Sequence, residues 1–251
     1  MGGSRRAGGT RAAARGVILY GRNSVREALR GRRRVSRVWA TPRAAQEEWL
    51  AGAPVSVVDD PAELESRCGS PAHQGVCAQA DEYPYADESE LLAAPDPLIV
   101  ALDQVTDPQN LGAICRTAEA AGATGVVVPR HRAAEVTPAV SRASAGAVEH
   151  LPVARVRNLA DFLAAAQAAG CWCYGADAAA EAPYDQPDYA GGVVVVLGSE
   201  GHGLRPRVAA ACDQLVAIPV RGHVDSLNVS AAAAVLVYEI LQQRARLDRT
   251  P

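Results

Sequence analysis

Three polar stretches of this 251-residue chain carry side chains able to bind a ligand or move a proton, and each follows an apolar run. LIVALD (98–103) leads into QVTDPQN, which ends at Asn110, with Arg116 six positions further on. VVVVL (193–197) leads into Gly198-Ser-Glu-Gly-His-Gly203. LVAIPV (215–220) leads into RGHVDSLNVS, which ends at Ser230. Glycines at such spacing let a ligand approach backbone N–H groups closely. Glu200 in the middle of the second stretch would repel a phosphate, so a cationic or hydroxyl-rich ligand suits it better. No lysine occurs in the chain, which rules out a Walker loop. The third stretch holds Ser226, Asn228 and Ser230 against an alanine-rich helix that needs one cap. The others are in excess unless they hold a ligand or an acceptor.

Local pattern alone offers a plain structural role for each. Asn110 could cap its helix, Arg116 could be a surface side chain lying along apolar neighbours, and the glycine run could be a simple turn. No GxGxxG follows LIVALD and no GxSxG occurs, so neither the dinucleotide turn nor the hydrolase elbow is present. His202 and His223 are the histidines near these stretches.

The elements that must position these residues alternate along the chain. Strands are expected at 98–103, 125–129, 152–156, 171–177, 193–198 and 215–220. Helices are expected at 110–121, 137–147, 158–169, 205–211 and 228–246. Continuous β-branched runs mean strands buried on both faces, hence a parallel sheet covered by helices. In such sheets ligands bind at the carboxyl ends of strands, where all three polar stretches fall. Ahead of this lies a smaller α/β unit, 17–81. Its helices are expected at 23–31, 41–50 and 60–68, and its strands at 35–40, 55–58 and 73–80. Residues 82–97, acidic and proline-bearing, read as a linker, and 1–16 as a basic disordered arm. The large domain is then 98–251.

Charge is unevenly distributed. Residues 1–43 contain twelve arginines and one acid, Glu27, for a net +11, while the rest of the chain carries −14. A basic head on an acidic body fits contact with a polyanion, and Arg22, Arg26, Arg32, Arg33 and Arg34 are the candidates for RNA contact. The six cysteines form no CxxC pair, so no metal site is expected, and reduced buried thiols are. Neither a secretory leader nor a membrane span is expected, since residues 1–16 lack an apolar core and no apolar run reaches 18 residues, and a cytoplasmic location is expected.

Taken together, the three stretches resemble motifs 1, 2 and 3 of the SpoU (TrmH-like) class of SPOUT methyltransferases. The matching residues are Asn110-x-Gly-x-x-x-Arg116, then Leu197-Gly-x-Glu-Gly-x-Gly203, then Ile218-Pro219 followed by Ser226-Leu-Asn-Val-Ser230. The resemblance covers residues 98–246. ILYGRNSVREAL (18–29) and its surroundings are similar to the substrate-binding domain of bacterial guanosine 2'-O-methyltransferases of large-subunit ribosomal RNA. The resemblance implies an α/β fold with a parallel sheet, a deep trefoil knot and a small N-terminal α/β substrate-binding domain. It implies S-adenosylmethionine as cofactor, RNA as substrate, a homodimer, and neither a metal nor a membrane. It assigns Asn110, Arg116, Glu200, Ser226 and Asn228 to catalysis, and Gly198, Glu200, Gly201, Ile218, Ser226 and Leu227 to the cofactor. The expected reaction is 2'-O-methylation of a ribosomal guanosine. A tRNA ribose methyltransferase and an antibiotic-resistance rRNA methyltransferase are alternatives within the family. A non-catalytic RNA-binding protein on the same scaffold is the alternative outside it.

Overall fold

The structure, a computed structural model, describes residues 16–247. The expected basic arm lies, apart from Gly16, outside the described residues.

The first sheet is built from β1 (Val17–Tyr20), β2 (Val35–Ala40), β3 (Val55–Val57) and β4 (Val76–Ala80), with α1 (Arg22–Arg30) and α2 (Pro61–Cys68) between them. Strand order is β1-β4-β2-β3, antiparallel about β4 and parallel between β2 and β3. Asp60 caps α2 by accepting from the Ala62 N–H, and Gly69 ends it in the left-handed conformation. The helix expected over 41–50 is instead two single 3-10 turns, Ala44–Gln46 and Glu48–Leu50, with Glu47 extended between them. Ala44 and Leu50 are both buried. Six positions apart on one α-helix they would point about 120° away from each other, and breaking the helix at Glu47 sends both into the core.

The segment expected to be a linker is bound to the larger body. It contains α3 (Glu88–Leu92), capped by Asp87, and its Leu91 is buried. The Tyr83 hydroxyl donates to the Leu151 carbonyl at 2.9 Å, and Ala86 bridges to Ala154.

The second sheet takes the rest: β5 (Leu98–Asp103), α4 (Pro108–Ala120), β6 (Gly125–Pro129), α5 (Pro138–Ala143), β7 (Val153–Val156), α6 (Leu159–Ala168), β8 (Trp172–Ala176), β9 (Ala182–Pro183), β10 (Val193–Gly198), α7 (Pro206–Ala209), β11 (Gln214–Ala217) and α8 (Val229–Leu247). Its seven strands run parallel in the order β7-β6-β5-β10-β8-β11-β9. Alternate residues of each central strand go to opposite faces. Leu98, Val100 and Leu102 join α4 and α8 in one core, while Ile99 and Ala101 join α6 and Val208 of α7 in the other. Burying each such aliphatic side chain stabilises the fold by about 1.5–3 kcal/mol. Cys171 and Cys173 share the second core.

One expected helix, 137–147, stops at Ala143. Ala145 and Gly146 are left-handed, and a 3-10 turn, Ala147–Glu149, follows. A Cβ on Gly146 would lie 2.6 Å from Glu27 Cβ, so the break lets α1 of the small unit come close.

Candidate active site

Strand order brings the polar stretches together. Strand β10 lies between β5 and β8, so the ends of β5 and β10 are side by side, and β11 is the next strand beyond β8. The chain between them is held by a buried carboxylate. Asp103, at the end of β5 and fully buried, accepts from the Arg205 backbone N–H at 2.8 Å and from its Nε at 2.7 Å. This ties the loop after β10 to its neighbouring strand. Sequence reasoning missed both residues. An acid closing an otherwise apolar strand was the available signal.

Within that loop, Ser199 and Gly203 exchange backbone hydrogen bonds of 2.9 and 3.2 Å and close a tight turn. Gly201 and Gly203 sit at φ of +78° and +65°, where a side chain is strained. A Cβ on Gly198 would fall 2.1 Å from the Gly203 carbonyl carbon, so only glycine fits there. The turn presents Glu200 outward.

Glu200 Oε1 accepts from Asn110 Nδ2 at 3.0 Å and from Asn228 Nδ2 at 2.7 Å, and Asn228 Nδ2 also donates to Asn110 Oδ1 at 3.0 Å. One residue from each polar stretch therefore meets in a single cluster. The question of caps is also resolved. Asp107, not Asn110, caps α4, and Asn110 occupies its first turn. Asn228 caps α8: its Oδ1 accepts from the Ser230 N–H at 2.9 Å and the Ser230 hydroxyl at 2.6 Å.

Beside the cluster opens a cavity of about 630 Å³, within the size range of cofactor sites. Gly198, Glu200, Gly201, Ile218, Ser226 and Leu227 all line it, as does Asn228. Ile218 packs its apolar body against the core, and the Ser226 hydroxyl donates to Asp225 Oδ1 at 3.3 Å. Val224 is 71% and Leu227 44% exposed, so the third stretch forms an open outer wall. A wall of mixed apolar side chains, hydroxyls and carboxylates, with a glycine turn at its base, fits a large cationic cofactor with an adenine and a ribose. No group of His, Cys, Asp and Glu able to hold a metal ion occurs among the described residues.

Arg116 stands apart. It is exposed on α4, outside the cavity lining, and has no hydrogen-bond or ion-pair partner among the described residues. On the helix it lies about 9 Å along the axis and about 120° around from Asn110. Behind it, Cys115 is fully buried, and burial pushes its thiol up to about 12.

The arginines expected to face RNA divide. Arg32 and Arg34 are exposed. Arg22 pairs with Glu47 at 3.0 Å and Arg26 with Glu27 at 2.7 Å, both at partly exposed positions. Arg33 corrects the expectation: it is buried and bonded to Glu149 and Ser141, so it offers nothing to RNA.

The parallel α/β sheet thus carries a glycine turn, a carboxamide-clamped glutamate and a cofactor-sized cavity at its strand ends, the place where such sheets bind ligands. The SpoU rRNA Methylase family matches residues 97–238, and the RNA 2'-O ribose methyltransferase substrate-binding family matches residues 18–86. The chain belongs to the SpoU rRNA methylase family, whose members are S-adenosylmethionine-dependent RNA methyltransferases. A Bacillus subtilis protein named as a TrmH family tRNA/rRNA methyltransferase is 38% identical over 90% of this chain and 95% of its own length. A Synechocystis protein named as an uncharacterized tRNA/rRNA methyltransferase is 40% identical over 90% of this chain, and the match spans 62% of that longer protein. Among solved structures, the SpoU methyltransferase AviRb from Streptomyces viridochromogenes, in complex with AdoMet, superimposes with a TM-score of 0.78 at 28% identity, covering 92% of this chain and 91% of that one. A structure described as an RNA 2'-O ribose methyltransferase gives the same TM-score at 28% identity, over 92% and 90% of the two chains.

Proposed function

We propose that this chain methylates a ribose 2'-hydroxyl of RNA, and that the acceptor is a guanosine of large-subunit ribosomal RNA. The observation that carries the reading is the Asn110–Glu200–Asn228 cluster, which joins the three polar stretches at the edge of a cofactor-sized cavity. The match of residues 18–86 to a 2'-O ribose methyltransferase substrate-binding family supports the ribose as acceptor. Membership of the family supports a deep trefoil knot in the larger unit.

S-adenosylmethionine supplies an electrophilic methyl group when bound. Gly198, Gly201, Ile218, Ser226 and Leu227 would hold it, and the glycines would let its polar groups approach the backbone. Asn110, Glu200 and Asn228 hold the three loops in register, which fixes the reacting groups in one geometry. A ribose hydroxyl is a weak acid, and its oxygen gains negative charge as it attacks. The hydroxyl proton passes to solvent, and the Arg116 guanidinium stabilises the developing negative charge. Its exposed place on α4, away from the cavity of its own chain, supports a homodimer in which the partner subunit's Arg116 completes the site.

The test has two parts. Arg116→Ala should lose methyl transfer and keep cofactor affinity by calorimetry; near-wild-type turnover would sink the assignment. Mapping of 2'-O-methyl positions in ribosomal RNA, from cells with and without the gene, should show one guanosine losing its mark. A lost mark in tRNA would move the substrate to the alternative class.

A further inference from the structure

The small unit and the methyltransferase unit meet at a seam that holds the most deeply buried ion pair among the described residues. Arg33 lies in the turn between α1 and β2. Its Nε donates to Glu149 Oε2 at 2.8 Å, and its Nη2 donates to Ser141 Oγ at 2.8 Å and to Glu149 Oε1. The Ser141 hydroxyl donates to Glu149 Oε1 at 2.9 Å. The two charged side chains are 1% and 0% exposed. The ring of Tyr83 covers the guanidinium, 5.4 Å from its centroid. Around this bolt the backbones leave no slack. A Cβ on Gly31 would lie 2.7 Å from Glu149 Cβ. Beside it, Glu27 Oε2 meets His150 Nε2 at 3.0 Å.

Burying a charge pair is a poor way to gain stability, because the desolvation cost offsets the attraction. It is a good way to fix one arrangement, because a half-made pair is worse than none. Among the eight described arginines of the basic segment, Arg33 is the one drawn fully inside while its neighbours Arg32 and Arg34 stay exposed. The seam also connects to the site. Ser141 is on α5, and α5 packs on α4 so closely that a Cβ on Gly112 would fall 2.4 Å from Ala143 Cβ. Helix α4 carries Asn110.

We propose that Arg33 is a positioning residue for the reaction. By locking into Glu149 and Ser141 it holds the substrate-binding unit at one distance and orientation from the cofactor cavity, so that one RNA engages both units at once, with Arg32 and Arg34 beside the seam as free cations for its phosphates. The role in catalysis rests on the RNA methyltransferase reading above; the lock itself does not.

The lock is read without RNA. Limited proteolysis of the connecting segment 81–87 should be about tenfold faster in Arg33→Met than in the wild-type full chain, as release of the seam exposes it. Unchanged cleavage overturns the lock. The positioning role is read with ribosomal RNA. In Arg33→Met the KM for RNA should rise about tenfold or more, with cofactor affinity and kcat at saturating RNA within about twofold, and Arg33→Lys should recover part of the KM. An unchanged KM, or a fall in cofactor affinity and kcat without a rise in KM, overturns it. Should Arg33→Met fail to fold, Glu149→Gln keeps the shape, removes one charge and allows both measurements. If the wild-type chain methylates no RNA, the functional reading fails, and the cleavage rates still decide the lock.

Discussion

Asn228 holds Glu200 with one end of its carboxamide and caps helix α8 with the other: Nδ2 lies 2.7 Å from Glu200 Oε1, while Oδ1 accepts from Ser230. The start of the last helix and the glycine turn after β10 are thereby fixed to each other. Substitutions separate the two jobs. Asn228→Ala should lose both, with about 1 kcal/mol from the cap alone. Asn228→Asp keeps the cap but sets a carboxylate against Glu200. Its cofactor affinity should fall at neutral pH and partly recover toward pH ~5, because two close carboxylates raise the pKa of one. Calorimetry across pH, beside thermal melts, checks this; a pH-independent deficit would contradict it.

The glycines of the turn should differ in sensitivity. Gly198→Ala forces a Cβ to 2.1 Å from the Gly203 backbone and should abolish cofactor binding. Gly201→Ala meets nothing within 4 Å and carries only the left-handed strain, about 1–2 kcal/mol. It should bind cofactor with a modest loss of stability. Equal effects would mean the turn is looser than its hydrogen bonds indicate.

Arg205→Ala leaves the buried Asp103 carboxylate with one backbone donor, having removed the 2.7 Å bond from Nε. The loss should be on the order of 2 kcal/mol. Because this pair anchors the loop, cofactor affinity should fall with it. Denaturant melts with and without cofactor separate the two effects.

Two buried thiols, Cys77 and Cys115, and the half-buried Cys212 predict an alkaline limit. Burial pushes Cys77 up to about 11 and Cys115 and Cys212 up to about 12, from an ordinary 9.0. Above pH ~9 the unfolded chain loses these protons while the folded chain keeps them, so stability falls as pH rises through this window. Denaturant titrations at pH 8 and pH 10 should show the drop. At pH 8 these three thiols should resist iodoacetamide in the folded protein and react after unfolding, since the thiolate is the nucleophile.

Much of the fold was written in local pattern. Strands 98–103, 125–129 and 193–198 have the bounds expected of them, because β-branched runs ending in polar residues admit few other readings. The site was legible as three excesses of polar side chains after strands. The expected cofactor residues all line the cavity, and Asn110, Glu200 and Asn228 do meet. Local pattern failed where long-range packing decided. The helix expected over 41–50 broke so that Ala44 and Leu50 could both be buried. The linker became a docked helix because Leu91 found a place on the sheet.

The sequence by itself determined the alternating strands and helices, the glycines that a tight turn requires, and the residue types at each strand end, since these depend on neighbours within a few positions. The tertiary structure decided which of them touch. It paired β10 with β5 rather than with a neighbour in sequence, and so brought Asn110 to Glu200, 90 positions away. It made Asn228 both cap and clamp. It turned Arg33, one basic residue among twelve, into a buried bolt 116 positions from its partner. Charge and periodicity are local properties of a chain, whereas burial of a charge depends on which distant carboxylate the fold delivers to it.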